Sequence, residues 1–311
     1  MTEHMQAAVI HQYGDTDEFF LEQVPRPAPQ SDEALIRVAA AGINPVDTYA
    51  RAGHVAGMMG DDPFPLILGW DVSGVIEQAP AGSGYQVGDA IYSMVNFPGK
   101  SSTYAEYVTA KVSDIAHAPQ SIPLADAAAV PLVALTAWQA MFEAGNLQAG
   151  QTVLIHAAAG GVGHIAVQLA KWKGATVIGT ASAKNEAYLR ELGVDQFVDY
   201  TAQPFEDVVS DVDLAFDCVG SDTLARSVAV IKPGGWGITI AAQPDADEKD
   251  GVHLKRILVR SQGEQLAEIA KLIDAGHVKP TVDHRFPLAQ AGEAHELQAS
   301  KHVRGKIILT T

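Results

Sequence analysis

Short stretches in which apolar and polar residues alternate dominate the N-terminal part of the chain. Ala34–Val38 and Ser73–Ile76 are examples, and Gly and Pro residues separate such stretches at Pro25–Pro27, Gly82–Gly84 and Pro98–Gly99. Alternation with a period of two, bounded by turn residues, predicts β-strands. We therefore expect a barrel-like β lobe in this part of the chain.

From Thr152 onward the pattern predicts strands that alternate with helices. Thr152–His156 is a short apolar run, and Val162, Ala166, Leu169 and Ala170 follow it at helical spacing. Strands joined by helices predict a parallel sheet with right-handed crossovers. The further predicted strands are Ala175–Gly179, Gln196–Asp199, Asp213–Asp217, Gly235–Ile240 and Ile257–Arg260, and the further helices are Asn185–Leu192 and Glu264–Ala275. The last strand-like segment, Lys306–Leu309, is expected to complete the N-terminal lobe.

A glycine-rich segment, Ala157–Gly163, lies between the first of these strands and the first helix. Small residues at this point of a Rossmann fold let backbone N–H groups at the helix N-terminus approach a pyrophosphate. Gly160 and Gly163 take the second and third glycine positions of G-x-G-x-x-G, and Ala158 takes the first. We therefore predict a dinucleotide site in which Gly160, Gly161, Val162 and Gly163 contact the cofactor.

The end of the second predicted strand bears on the choice of cofactor. In NAD-binding folds an acidic residue about 20 residues further on accepts a hydrogen bond from the ribose 2′-hydroxyl. Here Gly179–Ser182 carries no carboxylate, and the next one is Glu186. Ser182 and Lys184 instead offer a hydroxyl and a positive charge to a 2′-phosphate. This arrangement favours NADPH over NADH.

Composition and charge limit which classes of protein and which partners are expected. The 311 residues suffice for two domains, and 47% hydrophobic with 19% charged residues is typical of a globular protein. The net charge of −16 disfavours nucleic acids and anionic membranes as partners. The N-terminal residues lack a secretory signal pattern, and a single cysteine, Cys218, excludes an internal disulfide. We expect a cytoplasmic enzyme.

Landmarks of this sequence resemble, in order and over essentially the whole chain, those of the zinc-independent quinone oxidoreductases of the medium-chain dehydrogenase/reductase superfamily. They are Asn44–Tyr49, Gly69–Val75, Gly88–Asp89, Tyr104–Val108, Thr136–Trp138 and the glycine-rich segment. The resemblance implies an α/β protein with a GroES-like β lobe and a Rossmann doubly wound parallel sheet. The expected boundaries are residues 1–120 with 262–311 for the GroES-like domain, and 121–261 for the NADPH-binding domain. The resemblance also implies a homodimer formed through an edge strand of the Rossmann sheet.

Zinc alcohol dehydrogenases of this superfamily place a cysteine ligand in the loop that here reads Ala41–Asn44, and a His-Glu pair where this chain has Trp70–Asp71. We therefore expect no metal site. Oxidation of an alcohol commonly requires a Lewis acid to stabilise an alkoxide. A quinone or an α,β-unsaturated carbonyl spreads the developing charge onto its oxygen, where hydrogen-bond donors suffice. The expected substrate is thus a small conjugated carbonyl compound.

The resemblance implies roles for single residues. Asn44 and Tyr49 would line the substrate pocket beside the nicotinamide, and Tyr49 would donate a hydrogen bond to the substrate oxygen or a bridging water. Asp71 is not expected to be catalytic; we expect it to form hydrogen bonds with nearby backbone groups. The remaining expected cofactor contacts are Thr136, Tyr200, Val219, Gly220, Ile240 and Ala241.

Three functions remain open at the level of sequence. The first is an NADPH-dependent quinone reductase with substrate bound in a cleft between the lobes. The second is an alkenal or enone double-bond reductase, whose substrate width would depend on the loop His54–Pro65 with Met58 and Met59. The third is an NADPH-binding structural or regulatory protein without turnover, against which Asn44 and Tyr49 argue.

Overall fold

The computed structural model describes residues 3–61, 63–100 and 102–311. Its strands, in chain order, are β1 (His4–Ile10), β2 (Phe20–Pro25), β3 (Glu33–Ile43), β4 (Leu66–Ile67), β5 (Asp71–Gln78), β6 (Ala90–Met94), β7 (Tyr107–Lys111), β8 (Ile115–His117), β9 (Thr152–Ile155), β10 (Thr176–Ala181), β11 (Gln196–Asp199), β12 (Val212–Asp217), β13 (Ile231–Thr239), β14 (Glu248–Lys249), β15 (Val252–Arg256), β16 (Val282–Pro287) and β17 (Lys306–Thr310).

The α-helices, in the same order, are α1 (Pro45–Arg51), α2 (Leu124–Ala127), α3 (Pro131–Trp138), α4 (Gly161–Lys173), α5 (Glu186–Glu191), α6 (Thr223–Ser227), α7 (Gly263–Asp274) and α8 (Ala291–Ala299). A π-helical turn, Gln139–Ala144, follows directly after α3.

The chain forms two compact units. The first comprises Met1–Leu135, Arg260–Gly276 and Pro280–Thr311, and the second comprises Thr136–Val259 and His277–Lys279. Residues 121–135, which the sequence assigned to the cofactor domain, are grouped with the first unit.

The first unit is built mainly on antiparallel strands, and β16 and β17 form a parallel pair within it. One sheet has the order β2-β1-β4, and a larger one has the order β16-β17-β3-β5-β6-β8, with β7 paired to β3. The core of the larger sheet contains alternate residues of its strands, such as Ala34, Ile36 and Val38 on β3, because successive side chains of a strand point to opposite faces. Pairing of β17 with β3, from Ile307 opposite Ile43 to Thr310 opposite Ala40, confirms that the C-terminal segment completes the N-terminal lobe.

The second unit contains the predicted parallel sheet. Its strand order, β11-β10-β9-β12-β13-β15-β14, is that of a Rossmann fold with the antiparallel strand β14 added at one edge. Strands β9 and β12 occupy its centre and consist mostly of buried apolar residues, as expected for strands covered on both faces. The strand order changes direction between β9 and β12, and ligands of such sheets bind at this switch point, beyond the carboxyl ends of the strands.

One predicted strand is wrong. Residues 257–260 form no strand, and β15 lies just before them, where Val252 and Leu254 alternate with polar residues. This short alternating segment pairs in parallel with β13, from Trp236 opposite His253 to Thr239 opposite Arg256. The apolar run after it was the more conspicuous feature of the sequence, but Leu258 within it is 56% exposed. Alternation of apolar and polar residues was therefore a better indicator of the strand than the apolar run.

Candidate active site

The glycine-rich segment adopts the geometry that a phosphate-binding turn requires. Strand β9 ends at Ile155 and α4 begins at Gly161, with Gly160 as an N-cap that supplies no side-chain hydrogen bond. A Cβ on Gly163 would lie 2.2 Å from the carbonyl oxygen of Ala157 and 2.7 Å from Cα of Ala158, so only glycine fits there. The first turn of α4 contains no acidic residue. Its N–H groups and the positive end of its dipole therefore suit an anion.

The residues of this turn are the ones that the sequence predicted as cofactor contacts, namely Gly160, Gly161, Val162 and Gly163. The structure brings them together at the carboxyl end of β9. The cradle, which a Cβ at position 163 would fill, fits the pyrophosphate of a dinucleotide.

The carboxyl end of β10 carries the residues predicted to select NADPH. Ser182 follows the strand directly, and the Asn185 side-chain amide donates a hydrogen bond to the Ser182 hydroxyl over 3.3 Å. Lys184 is exposed. The nearest carboxylate along the chain, Glu186, forms an ion pair of 3.3 Å with Arg190 on the same helix. This strand end therefore presents a hydroxyl and an exposed ammonium, while its nearest carboxylate is paired within its own helix.

The remaining predicted cofactor contacts lie at several places. Tyr200 follows β11 and is 61% exposed, and Val219 follows β12 and is 55% exposed. Gly220 adopts φ +86°, a conformation that glycine tolerates best, while Ile240 and Ala241 directly follow β13. Thr136 is 3% exposed on α3. Because they follow neighbouring parallel strands, the positions after β12 and β13 lie at the same edge of the sheet as the glycine-rich turn.

In the first unit, α1 positions the two predicted catalytic residues very differently. Asn44 is its N-cap, fully buried, in a capping box in which Asp47 accepts a 2.6 Å hydrogen bond from the Asn44 backbone N–H. Its side-chain amide donates to Asp71 over 2.9 Å, and its carbonyl oxygen accepts a hydrogen bond from Lys306. Tyr49 is 49% exposed, with its ring 6.1 Å from that of His54. Tyr49 can thus reach a ligand, whereas the polar atoms of Asn44 are committed inside the unit.

Sequence reasoning missed the buried cluster around Asn44. Lys306, at the start of β17, donates hydrogen bonds to Asn44 and to the Ile43 carbonyl, and its Nζ lies 3.8 Å from Asp71 Oδ2. Asp71 also accepts the backbone N–H of Leu132 over 2.8 Å, in agreement with its expected bond to backbone. Asp47 completes the cluster. No pattern near residue 306 signalled this role, because a lysine that begins a strand is usually a solvated residue.

Burial sets the electrostatics of this cluster. Desolvation raises the pKa of Asp71 to about 6, although Lys306, Asn44 and the Leu132 N–H act in the opposite direction. Desolvation likewise raises the pKa of Asp47 to about 7, although the hydrogen bond from the Asn44 N–H and the charge of Lys306 lower it. Desolvation also lowers the pKa of Lys306, opposed by the two carboxylates. Two carboxylates thus share one ammonium, which favours retention of a proton by the cluster.

The same residues decide whether the zinc of related alcohol dehydrogenases fits here. At the corresponding positions stand Asn44, Trp70 and Asp71, and the indole N–H of Trp70 is bonded to the Gly99 carbonyl over 2.9 Å. The ammonium of Lys306 already lies against the oxygens of Asn44 and Asp71. An amide and one carboxylate beside a cation do not form the N/S ligand set that zinc prefers. Within residues 3–61, 63–100 and 102–311, no group of three or more His, Cys, Asp and Glu side chains is placed to hold a metal.

Part of the predicted substrate loop is described. Ala56–Met58 forms a 3₁₀ turn, Met59 is buried and Met58 is half-buried, whereas Asp62 lies outside the described residues. Only one of the two methionines therefore has side-chain surface available to a ligand. In the part of the chain that the structure describes, no helix is long and apolar enough to span a bilayer.

Comparisons with known proteins agree with this fold. Residues 30–120 match the family model of the alcohol dehydrogenase GroES-like domain, and residues 192–309 match that of the zinc-binding dehydrogenases. The chloroplastic NADPH-dependent alkenal/one oxidoreductase of Arabidopsis thaliana is 33% identical, with 98% of this chain and 79% of that protein covered.

Solved structures are similar over nearly the whole chain. The quinone oxidoreductase from Coxiella burnetii has a TM-score of 0.92 at 32% identity, covering 99% of this chain and 100% of that one. The Escherichia coli quinone oxidoreductase complexed with NADPH has a TM-score of 0.86 at 25% identity, covering 98% and 100%. The predicted fold class is confirmed, and the chain belongs to the quinone-reductase-like branch of the medium-chain dehydrogenase/reductase superfamily, as an NAD(P)H-dependent oxidoreductase.

Proposed function

We propose that this protein is a zinc-independent reductase that uses NADPH to reduce quinones. The observation that carries the proposal is the buried Lys306–Asn44–Asp71 group, which stands where alcohol dehydrogenases hold zinc. Without a Lewis acid the substrate itself must stabilise the charge that develops on its oxygen, and a conjugated carbonyl does this. The similarity to two quinone oxidoreductases supports the same class of substrate.

NADPH is the proposed cofactor. The turn of Gly160–Gly163 would hold the pyrophosphate, Ser182 and Lys184 the 2′-phosphate, and Tyr200 the adenosine side. Val219, Gly220, Ile240, Ala241 and Thr136 would contact the nicotinamide half. When bound, the cofactor supplies a hydride, that is, two electrons and one hydrogen nucleus, and solvent supplies the proton that completes reduction of the substrate.

Tyr49 is the proposed substrate-oxygen donor, because its side chain is half exposed on α1. A hydrogen bond that strengthens as negative charge grows on the oxygen lowers the barrier without any change in the resting enzyme. Asn44 was predicted as its catalytic partner. Because its side chain is buried, donates to Asp71 and accepts from Lys306, we propose that Asn44 acts by holding the start of α1 rather than by touching substrate.

A second candidate is reduction of the carbon–carbon double bond of alkenals and enones. It is supported by the 33% identity to an alkenal/one oxidoreductase. The two candidates share the hydride and the oxygen donor, and they differ in which position of the conjugated system accepts the hydride.

The test is oxidation of NADPH and NADH by the purified protein with a quinone, an enone and a saturated ketone, each with and without a chelator. We expect chelator-resistant turnover with NADPH and the conjugated compounds only, and their relative kcat/KM ranks the two candidates. Turnover of the saturated ketone that the chelator abolishes would contradict the proposal. Binding of NADPH without any turnover would favour the noncatalytic function.

A further inference from the structure

A carboxylate outside the predicted site organises the backbone at the carboxyl end of β12. Asp217, the last residue of this strand, is fully buried. Its Oδ1 accepts hydrogen bonds from the backbone N–H groups of Val219 over 2.8 Å and Gly220 over 3.0 Å. Its Oδ2 accepts the hydroxyl proton of Thr239 over 2.8 Å. One side chain thus fixes its own loop and reaches the next strand.

Thr239 transmits this arrangement to the neighbouring loop. It is the last residue of β13, directly opposite Asp217 in the sheet, and it is also fully buried. Its hydroxyl oxygen accepts the backbone N–H of Ala241 over 3.2 Å and that of Ala242 over 3.3 Å. Because the hydroxyl proton goes to Asp217, its lone pairs face these amides. The carboxylate therefore determines the orientation of the hydroxyl and, through it, of the second loop.

The two loops, residues 218–221 and 240–242, also pack against each other. Gly220 has φ +86°, and a Cβ at this position would lie 3.0 Å from the Ala241 Cβ and 3.1 Å from the Ala241 carbonyl oxygen. Ser221, with φ +56°, continues this unusual backbone path. A displacement of either loop therefore displaces the other, and the pair behaves as one wall at the sheet edge where dinucleotides bind.

We propose that Asp217 and Thr239 are positioning residues for the cofactor, which act through Val219, Gly220 and Ala241 to preform the wall for the nicotinamide half. The proposal rests on the proposed function, since it assigns these loops to the cofactor. A wall that is ordered before binding removes the entropy cost of ordering it on binding. Loss of the hydrogen bonds should consequently weaken the affinity for oxidised and reduced cofactor by the same factor.

The variants Thr239→Val and Asp217→Asn both disturb the loop of residues 240–242, each at a different partner of the Asp217–Thr239 hydrogen bond. Valine leaves the Asp217 bonds to Val219 and Gly220 in place, removes the acceptor for Ala241 and Ala242, and removes the hydroxyl that donates to Asp217 Oδ2. Asparagine keeps one oxygen for the Val219 and Gly220 amides but replaces the acceptor of the Thr239 hydroxyl by a donor. Thr239→Ser keeps the hydroxyl and serves as the rescue variant. Ser93→Ala, which removes a buried hydroxyl bonded to the Asp114 carbonyl in the first unit, is the control for a general loss of stability.

Two measurements test the proposal. In fluorescence titrations we expect Thr239→Val and Asp217→Asn to raise the Kd of NADPH and of NADP⁺ by roughly tenfold each, because the wall must then be ordered on binding. Thr239→Ser and Ser93→Ala should bind like the wild type. Amide hydrogen exchange on the cofactor-free protein should be faster at Ala241 and Ala242 in Thr239→Val, with Val219 and Gly220 unchanged.

The outcomes separate this proposal from the proposed function. Unchanged affinities together with a lowered Tm would assign the pair to stability alone and overturn the positioning role. A selective loss of NADP⁺ affinity would also overturn it, since a direct effect of the Asp217 charge would then explain the result. Failure of the wild-type protein to bind NADPH would defeat the proposed function, whereas the exchange experiment would still show whether Asp217 and Thr239 order the loops.

Discussion

The ammonium of Lys306 lies 3.8 Å from the carboxylate of Asp71, with both side chains buried inside the first unit. A buried ion pair gains little over an apolar pair of the same shape, because both charges lose their hydration. Here the lysine has further partners, Asn44 and the Ile43 carbonyl, at the start of the helix that carries Tyr49. The pair therefore joins β17 and β5 to the start of α1.

Replacement of Lys306 by methionine should be strongly destabilising. The variant leaves Asp71 and Asp47 buried without their cation, and breaking such a pair typically lowers the free energy of unfolding by about 3–5 kcal/mol. Urea denaturation at neutral pH measures the change. Lys271→Met, which removes an exposed pair with Glu268, is the matched control and should change stability by less than about 1 kcal/mol. Equal effects of the two variants would contradict the role of the buried pair.

The buried acids should make stability depend on pH in an unusual direction. The pKa of Asp47 is about 7 in the folded state against an ordinary value of 3.8, and that of Asp71 is about 6. Between about pH 4 and 7 the native state therefore holds protons that the unfolded chain has released, so the contribution of these groups falls as the pH rises through this window.

Urea denaturation at several pH values across this window, compared between the wild type and Asp47→Asn, isolates the effect. The asparagine keeps an acceptor for the Asn44 N–H, and the decline of stability with pH should become shallower. Asp245→Asn, at an exposed position, should leave the profile as in the wild type. An identical slope in all three proteins would refute this assignment.

Gly163→Ala should damage cofactor binding. The added Cβ would lie 2.2 Å from the Ala157 carbonyl, so the turn or the start of α4 must shift, at about 1–3 kcal/mol for a forced rearrangement of packed atoms. We expect a lower Tm and at least a tenfold higher Kd for NADPH, on the order of 1.4 kcal/mol. Gly57→Ala is a suitable control, because its Cβ would meet nothing within 4 Å. Wild-type affinity in Gly163→Ala would show that the turn does not hold the pyrophosphate.

Lys184→Ala should weaken NADPH binding about tenfold and leave NADH binding unchanged, because only the former carries the 2′-phosphate. The effect should diminish at high salt, since Lys184 is exposed and its charge is screened. Lys249→Ala, on the edge strand β14, provides a control for the loss of a surface charge. Parallel changes for both cofactors would remove Lys184 from the proposed selectivity.

Tyr49→Phe should slow turnover roughly tenfold or more while the Kd of NADPH stays nearly unchanged, because it deletes one donor to the developing oxyanion. Its ring is half exposed, so the Tm should hardly move. Stopped-flow and steady-state assays with a quinone measure the effect. Unaltered turnover would exclude Tyr49 as the oxygen donor.

Pairing of two copies through an edge strand of the parallel sheet, the cytoplasmic location and the absence of nucleic-acid partners stay predictions. In the structure the edge strands of this sheet are β11 and β14.

Local pattern alone determined much of the second unit. The sequence from Thr152 to Lys173 predicts a strand, a glycine turn and a helix. The strand and the helix follow from the spacing of nearby apolar residues, and the turn follows from the small size of Gly160 and Gly163. The absence of an acidic residue directly after β10 can likewise be seen in the local sequence. The landmarks of the family then led from these segments to the fold class, which the comparisons confirm.

Only the tertiary structure decided which polar residues became buried partners. Lys306 contacts Asn44, 262 residues away in the chain, and lies near Asp71, while Asp217 contacts Thr239 on the next strand, 22 residues away. Strand order and register decide which residues become such partners. The sequence around a single Lys, Asp or Thr does not show whether its side chain faces water or the core. Pairing with β13 likewise selected the alternating segment β15 over the more apolar run at residues 257–260, although the period of two in β15 was visible in the sequence.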